Sequence, residues 1–190
     1  MRIPSPAQID SHPASPYKAP RKSVVKKMKR SSISAGFMYG FVSMILFPLL
    51  LIELNSKLTL PVYKATSTEF LGIAAILFGG FLLICSTRIF AVHGKGGSPL
   101  PFDPPKQLVT IGVYRYIRNP MFVASGLIWL GEFLFFGSIL LFFYALAWIL
   151  FNHVHLITQD EKWLEKRFGD GYKKYKQQVP RYFPKLKLFS

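Results

Sequence analysis

Residues 119–159 read NPMFVASGLIWLGEFLFFGSILLFFYALAWILFNHVHLITQ, and Glu132 is the only Asp, Glu, Lys or Arg among these 41 positions. A bilayer core about 30 Å thick is crossed by roughly 20 apolar residues of helix. One unbroken helix over this stretch would reach roughly 60 Å, about twice that thickness. Gly137-Ser138 near the middle offers a turn. The stretch therefore predicts a helical hairpin with arms at about 121–136 and 138–157. The first arm is short and is expected to tilt little or not to cross fully.

Two more runs have the same character. Residues 31–52 and 70–87 contain no Asp, Glu, Lys or Arg. They predict spans at about 33–53 and 69–90, which makes four transmembrane helices in an all-α membrane protein. Composition agrees. Of 190 residues, 51% are hydrophobic and only 17% charged, too few charges to coat a soluble surface. The apolar content excludes a disordered chain, and the single Cys85 excludes a disulfide scaffold.

The net charge of +15 orients the spans. Residues 1–30 carry +7, residues 88–118 carry +4 and residues 159–190 carry +5, whereas residues 53–69 are neutral. Four spans place all three basic segments on one side, which the positive-inside rule makes cytoplasmic, along with both termini. The membrane expected is a bacterial inner membrane or the endoplasmic reticulum. Cationic segments beside spans point to anionic membrane lipids as partners, and not to nucleic acid. Residues 1–30, rich in Pro, Ser and Lys, read as a disordered tail rather than a secretory signal. The membrane domain is then 31–190, with a cytoplasmic loop at 91–120 and a cytoplasmic tail at 158–190.

Two cytoplasmic segments carry candidate chemistry. The first passes through the Gly- and Pro-dense stretch from His93 to Pro105 and then reads GVYRYIRNPMF over residues 112–122. The Gly and Pro content of that stretch, 93–105, forbids helix there. Asn119 fits an N-cap and Pro120 the first helical position. Such a helix start directs free N–H groups at an anion, and the guanidinium of Arg118 next to it has the fork that a carboxylate or phosphate needs.

The second segment is Asn152 to Glu161. His153 and Asp160 are seven apart and share one face of a regular helix. Asp160-Glu161 is either a carboxylate site or the wet end of a span. His153 and His155 point apart and no Cys/His cluster accompanies them, so no metal site is expected. Glu132 is either a functional intramembrane acid or a solvated one near the far interface. Gly72, Gly79, Gly80 and Gly126 are expected to let helices pack closely. Beyond the last span, Trp163, Leu164, Phe168, Tyr172 and Tyr175 form one aromatic face with a break at Gly169–Gly171. That pattern predicts an interfacial C-terminal helix lying on the membrane, ended by VPRYFP at 179–184.

The ordered set of GSPLP at 97–101, Pro104-Pro105, GVYRYIRNPMF at 112–122, His153, Asp160-Glu161, Leu164, Phe168-Gly169, Tyr172, Tyr175, Val179-Pro180-Arg181 and Pro184 resembles the isoprenylcysteine carboxyl methyltransferase and phospholipid methyltransferase superfamily. The resemblance covers about the last hundred residues. It implies an integral membrane enzyme that uses S-adenosylmethionine, with the cofactor in a cytoplasmic pocket. By position, it implies that Tyr114, Asn119, Pro120, His153 and Asp160 line the cofactor, and that Arg118 and Glu161 are the catalytic pair. Arg181 and Phe122 would close the pocket or touch the acceptor. Val113, Phe122, Asp160 and Ser98 stand where the family often has Pro, Tyr, Glu and Thr, changes that bear on the acceptor more than on the cofactor. The acceptor expected is lipid-like or prenylated, a carboxylate held by Arg118. Alternatives are a phospholipid amine or a small thiol, with Glu161 or His153 taking the proton, or a non-catalytic membrane scaffold.

Overall fold

The computed structural model describes residues 36, 38–94 and 106–184. The expected tail over residues 1–30 and the Gly/Pro-dense stretch 95–105 lie outside the described residues. Helix α1 runs Met38–Lys57 and includes a π-helical segment, Val42–Leu46. Helix α2 is Thr66–His93, α3 is Pro120–Phe136 and α4 is Ile139–His155. A second π-helical segment, Leu156–Asp160, joins α4 to α5, Glu161–Phe168. Helix α6 is Asp170–Gln178. Helix α1, helix α2 and the continuous rod Ile139–Phe168 are long and apolar enough to cross a membrane. Helix α3, at 17 residues, is shorter, about 25 Å. Helices α2, α3 and α4 fall on the apolar runs read at 69–90, 121–136 and 138–157, with α3 shorter than the three helices of crossing length.

Small residues set the closest contact. Helices α2 and α3 lie antiparallel, with Gly72 against Gly131 and Phe135, and Gly79 against Ala124 and Ile128. A Cβ on Gly79 would sit 2.8 Å from the Ala124 carbonyl oxygen, inside van der Waals contact. Without Cβ atoms the backbones approach, and dispersion replaces the hydrophobic drive that lipid cannot supply. A Cβ on Gly80 would meet no atom of another segment within 4 Å and one on Gly126 would meet Ile149 only at 3.9 Å, so neither makes the close packing expected of it. Phe70, Leu77 and Phe81 project outward from α2, as lipid-facing residues do.

The hairpin turns at Gly137, whose φ of 67° closes α3 in the left-handed region that glycine enters freely. Its carbonyl accepts from the Tyr63 amide at 2.8 Å. Buried Asn55, at the end of α1, donates to the Leu60 carbonyl and accepts from Ser138 Oγ at 2.9 Å. One end of the bundle is thus tied across three segments. Midway along, the Ser43 carbonyl in the first π-helical segment accepts from Tyr144 Oη at 2.6 Å and Trp129 Nε1 at 3.4 Å. Glu132 is buried at 8% exposure, and its Oε2 has no hydrogen-bond partner among the described residues. The solvated reading of Glu132 therefore fails. It lies about 18 Å along α3 from Pro120, away from the helix start.

The four helices alternate in direction. The start of α1, the end of α2, the start of α3 and the end of α4 therefore share the other end of the bundle, where α5 and α6 lie. Gly79→Ala is expected to destabilise the fold by about 1–3 kcal/mol through overpacking against α3. Gly80→Ala is expected to change it by less than about 0.5 kcal/mol. Thermal unfolding in detergent checks this, and equal melting temperatures for the two variants would contradict the packing described.

Candidate active site

The polar end of the bundle is built from the second π-helical segment. On a regular helix His153 would share its face with Asp160, seven residues on. A π turn takes in an extra residue, and Leu156–Asp160 shifts the register accordingly. Glu161, eight residues on, takes the position expected for Asp160. The half-buried Asp160 forms no hydrogen bond or ion pair with the described residues.

Glu161 is 3% exposed and is surrounded by cations. Arg181 binds it in a fork, Nε to Oε1 at 2.7 Å and Nη2 to Oε2 at 2.9 Å. Arg118 Nη1 donates to Oε1 at 3.1 Å, and Lys176 Nζ lies 3.6 Å from Oε2. Arg118 Nη1 also reaches Tyr172 Oη at 3.5 Å. The side chains of Arg118 and Glu161 are only 7% and 5% exposed, so water screens their attraction little.

Two supports hold this cluster in place. The first is a 3-10 turn, Gly112–Arg115, that turns Tyr114 inward, its hydroxyl 3.5 Å from the Ser86 carbonyl on α2. Tyr175 Oη donates to the Tyr114 carbonyl at 2.6 Å. Tyr172, Tyr175 and Val179 form a buried cluster with Leu108, Leu164 and Phe168 packed on it. Of the five residues read as one face lying on the membrane, Leu164, Phe168, Tyr172 and Tyr175 thus pack on the protein itself, and Tyr175 reaches the 3-10 turn. Burial, with Glu161 adding to it, pushes the Tyr172 phenol up to about 12. It stays protonated and neutral beside the ion cluster.

The second support is an extended strap, residues 179–184. The Arg118 amide donates to the Pro180 carbonyl at 2.9 Å and the Asn119 amide to the Arg181 carbonyl at 3.3 Å. These pairings bring Arg181 to Arg118 across the chain. They also satisfy amides just before the helix, where Pro120 has none to offer. Tyr182 stacks on Phe122 with ring centroids 4.9 Å apart, and its Oη lies 2.5 Å from His153 Nδ1. Asn119 occupies the N-cap position, but its side chain makes no capping bond. Instead its Nδ2, like Arg118 Nε, is buried with no partner.

The residues expected in the site thus separate. Arg118, Glu161 and Arg181 meet directly, and Tyr182 joins His153 to Phe122. Asn119 and Pro120 start α3 beside them. Tyr114 supports the cluster from behind, and Asp160 stays outside it. Sequence reasoning missed Lys176 and Tyr182. The proline-bracketed extended run around Tyr182 was the available signal, since such a strap exposes peptide groups for pairing. Among the described residues, no group of three or more His, Cys, Asp and Glu could hold a metal ion.

Removing one partner of a buried pair strands the other charge, at a cost of about 3–5 kcal/mol. Glu161→Gln should lose stability of that order. Lys176→Ala, whose side chain is 41% exposed, should lose less than about 1 kcal/mol. Equal losses in chemical unfolding would mean that the buried cluster does not hold this end of the fold together.

Comparison with known proteins gives the family. The family model for phospholipid methyltransferases matches residues 67–171, just over half of the chain. The match runs from α2 into the start of α6 and stops short of the strap. The protein-S-isoprenylcysteine O-methyltransferase of Schizosaccharomyces pombe is 35% identical over 79 residues, which are 40% of this chain. That match spans about a third of the yeast protein's length, 33%. With its apolar helices and the family match over α2 to α5, the chain is an integral membrane protein that belongs to the phospholipid methyltransferase family.

Proposed function

We propose that this protein transfers the methyl group of S-adenosylmethionine to the carboxylate of a lipid-like acceptor of the prenylcysteine type, at the Arg118–Glu161–Arg181 end of the bundle. The observation that carries the reading is the pair of buried donors without acceptors, Arg118 Nε and Asn119 Nδ2, on adjacent residues. Buried N–H groups are normally satisfied, so such a pair points to a ligand that brings oxygen acceptors. The partial relative named for isoprenylcysteine supports the same acceptor class.

The bound cofactor would supply an electrophilic methyl group on a sulfonium. The chain's own residues bind and orient. Among the described residues, two guanidiniums, Arg118 and Arg181, face the one enclosed carboxylate of Glu161, and Lys176 is shared between Glu161 and Glu165, a balance that favours an anionic ligand over an amine. A carboxylate is already ionised and needs no base, only a fork that holds one oxygen in line. Glu161 fits the role of a counter-ion that fixes both guanidiniums. An amine acceptor would need a free base, and Glu161 is fully engaged.

Arg118 and Asn119 stand where the resemblance puts the cofactor, and their unpartnered donors fit its carboxylate as well as an acceptor's. The basic segments before α1, between α2 and α3 and after α4 support a cytoplasmic site, where the cofactor is dissolved. A tailed acceptor would then arrive sideways from the bilayer.

Calorimetry with S-adenosylmethionine and its demethylated product should show binding to the detergent-solubilised protein. Arg118→Lys keeps the charge but loses the fork. It should lower turnover of a prenylcysteine carboxylate by roughly ten- to a hundredfold, with little change in cofactor affinity. Absence of cofactor binding in folded protein would favour a scaffold. Equal losses in turnover and cofactor affinity would remove Arg118 from the acceptor.

A further inference from the structure

One polar contact is not used by the reading above. Tyr182 Oη and His153 Nδ1 lie 2.5 Å apart, and the rings' centroids are 5.7 Å apart at 46°. Tyr182 is well fixed. Its ring stacks on Phe122 at an angle of 28°, and its neighbour Arg181 is locked on Glu161. The backbone beside it pairs with the amides of Arg118 and Asn119. One dipeptide therefore grips both polar residues on this face of the α4–α5 rod, Glu161 through Arg181 and His153 through Tyr182.

A neutral imidazole has one N–H and one lone pair, and the partner of one nitrogen decides the state of the other. A phenol is the stronger donor of the two groups. Burial pushes the Tyr182 phenol up, so it keeps its proton at neutral pH. With the phenol donating to Nδ1, the imidazole proton sits on Nε2. His153 Nε2 forms no hydrogen bond with the described residues. It is then a donor free to meet a ligand, whereas Arg118 Nε and Asn119 Nδ2 are buried donors without partners.

We propose that Tyr182 is a positioning residue that holds His153 as a hydrogen-bond donor, so that His153 offers an N–H group to an anionic ligand at the same end of the bundle as Arg118 and Asn119. This rests on the carboxylate reading of the site and sharpens it. His153 in this state cannot serve as the base that an amine acceptor requires, because its lone pair is already taken. Tyr182 becomes a determinant of acceptor class, in a strap that lies beyond the matched family region.

The test reads the ring itself. Protein labelled with nitrogen-15 histidine is placed in detergent at a pH that keeps imidazoles neutral. His153 is assigned by its loss in His153→Gln. The expected spectrum has a protonated Nε2 and an unprotonated, hydrogen-bonded Nδ1. Tyr182→Phe keeps the ring on Phe122 and removes only the hydroxyl. It should return His153 toward the tautomer mixture of an exposed histidine. It should also weaken binding of a prenylcysteine carboxylate by roughly two- to tenfold, the worth of one hydrogen bond. A wild-type His153 protonated on Nδ1, or a tautomer unmoved by Tyr182→Phe, would overturn the proposal. The spectra need neither cofactor nor turnover. Failure of methyl transfer would therefore count against the proposed function, and a wrong tautomer against the role of Tyr182.

Discussion

A single carboxylate, that of Glu161, organises the polar end of this bundle. It lies at the start of α5, almost without exposure, and is gripped by guanidiniums from two distant segments. Taking a carboxylate and an arginine out of water costs several kcal/mol for each ion, recovered only through short, well-directed contacts. The fork from Arg181 and the third bond from Arg118 supply such contacts. The cluster is therefore weak as a source of net stability and strong as a constraint on geometry. Three pieces of chain have to arrive together: the segment before α3, the α4–α5 junction and the strap after α6.

The rest of the structure makes that arrival possible. Close backbone packing at Gly72, Gly79 and Gly131 fixes α2 against α3, and so fixes where the segment leading to Arg118 must turn. Asn55 and the Gly137–Ser138 turn tie the opposite end, which leaves the polar end free to carry chemistry. The Tyr172–Tyr175–Val179 cluster brings the chain back over the 3-10 turn and delivers the strap. Each element is stabilised by ordinary forces: packing of small residues, backbone hydrogen bonding and burial of aromatic area. What they position is unusual, since neighbouring buried donors are left without acceptors.

Much of the scaffold could be read from the chain. The stretch at 119–159 is too long for one crossing and has one glycine turn, so the hairpin follows from length alone. The charge pattern predicts an even number of spans, and the structure holds three helices long enough to cross together with the shorter α3. Arg118, Glu161 and Arg181 were reached by resemblance, and the structure brings them together. The failures have physical causes. The pairing of His153 with Asp160 assumed a regular helix, and nothing in Leu156-Ile157-Thr158-Gln159-Asp160 marks a π turn. Gly79 and Gly80 look alike because α2 is apolar all round, so no polar stripe says which one faces a neighbour. Tyr182 and His153 are 29 residues apart, and only the folded chain places one on the other.

The central claim is that Glu161 and Arg118 form one buried electrostatic unit. A double-mutant cycle in chemical unfolding, with Arg118→Met, Glu161→Gln and the combined variant, measures it most directly. Strong non-additivity is expected, with a coupling energy of roughly 1.5–3 kcal/mol, because the second substitution removes the charge stranded by the first. Losses that simply add, to within about 0.5 kcal/mol, would contradict it.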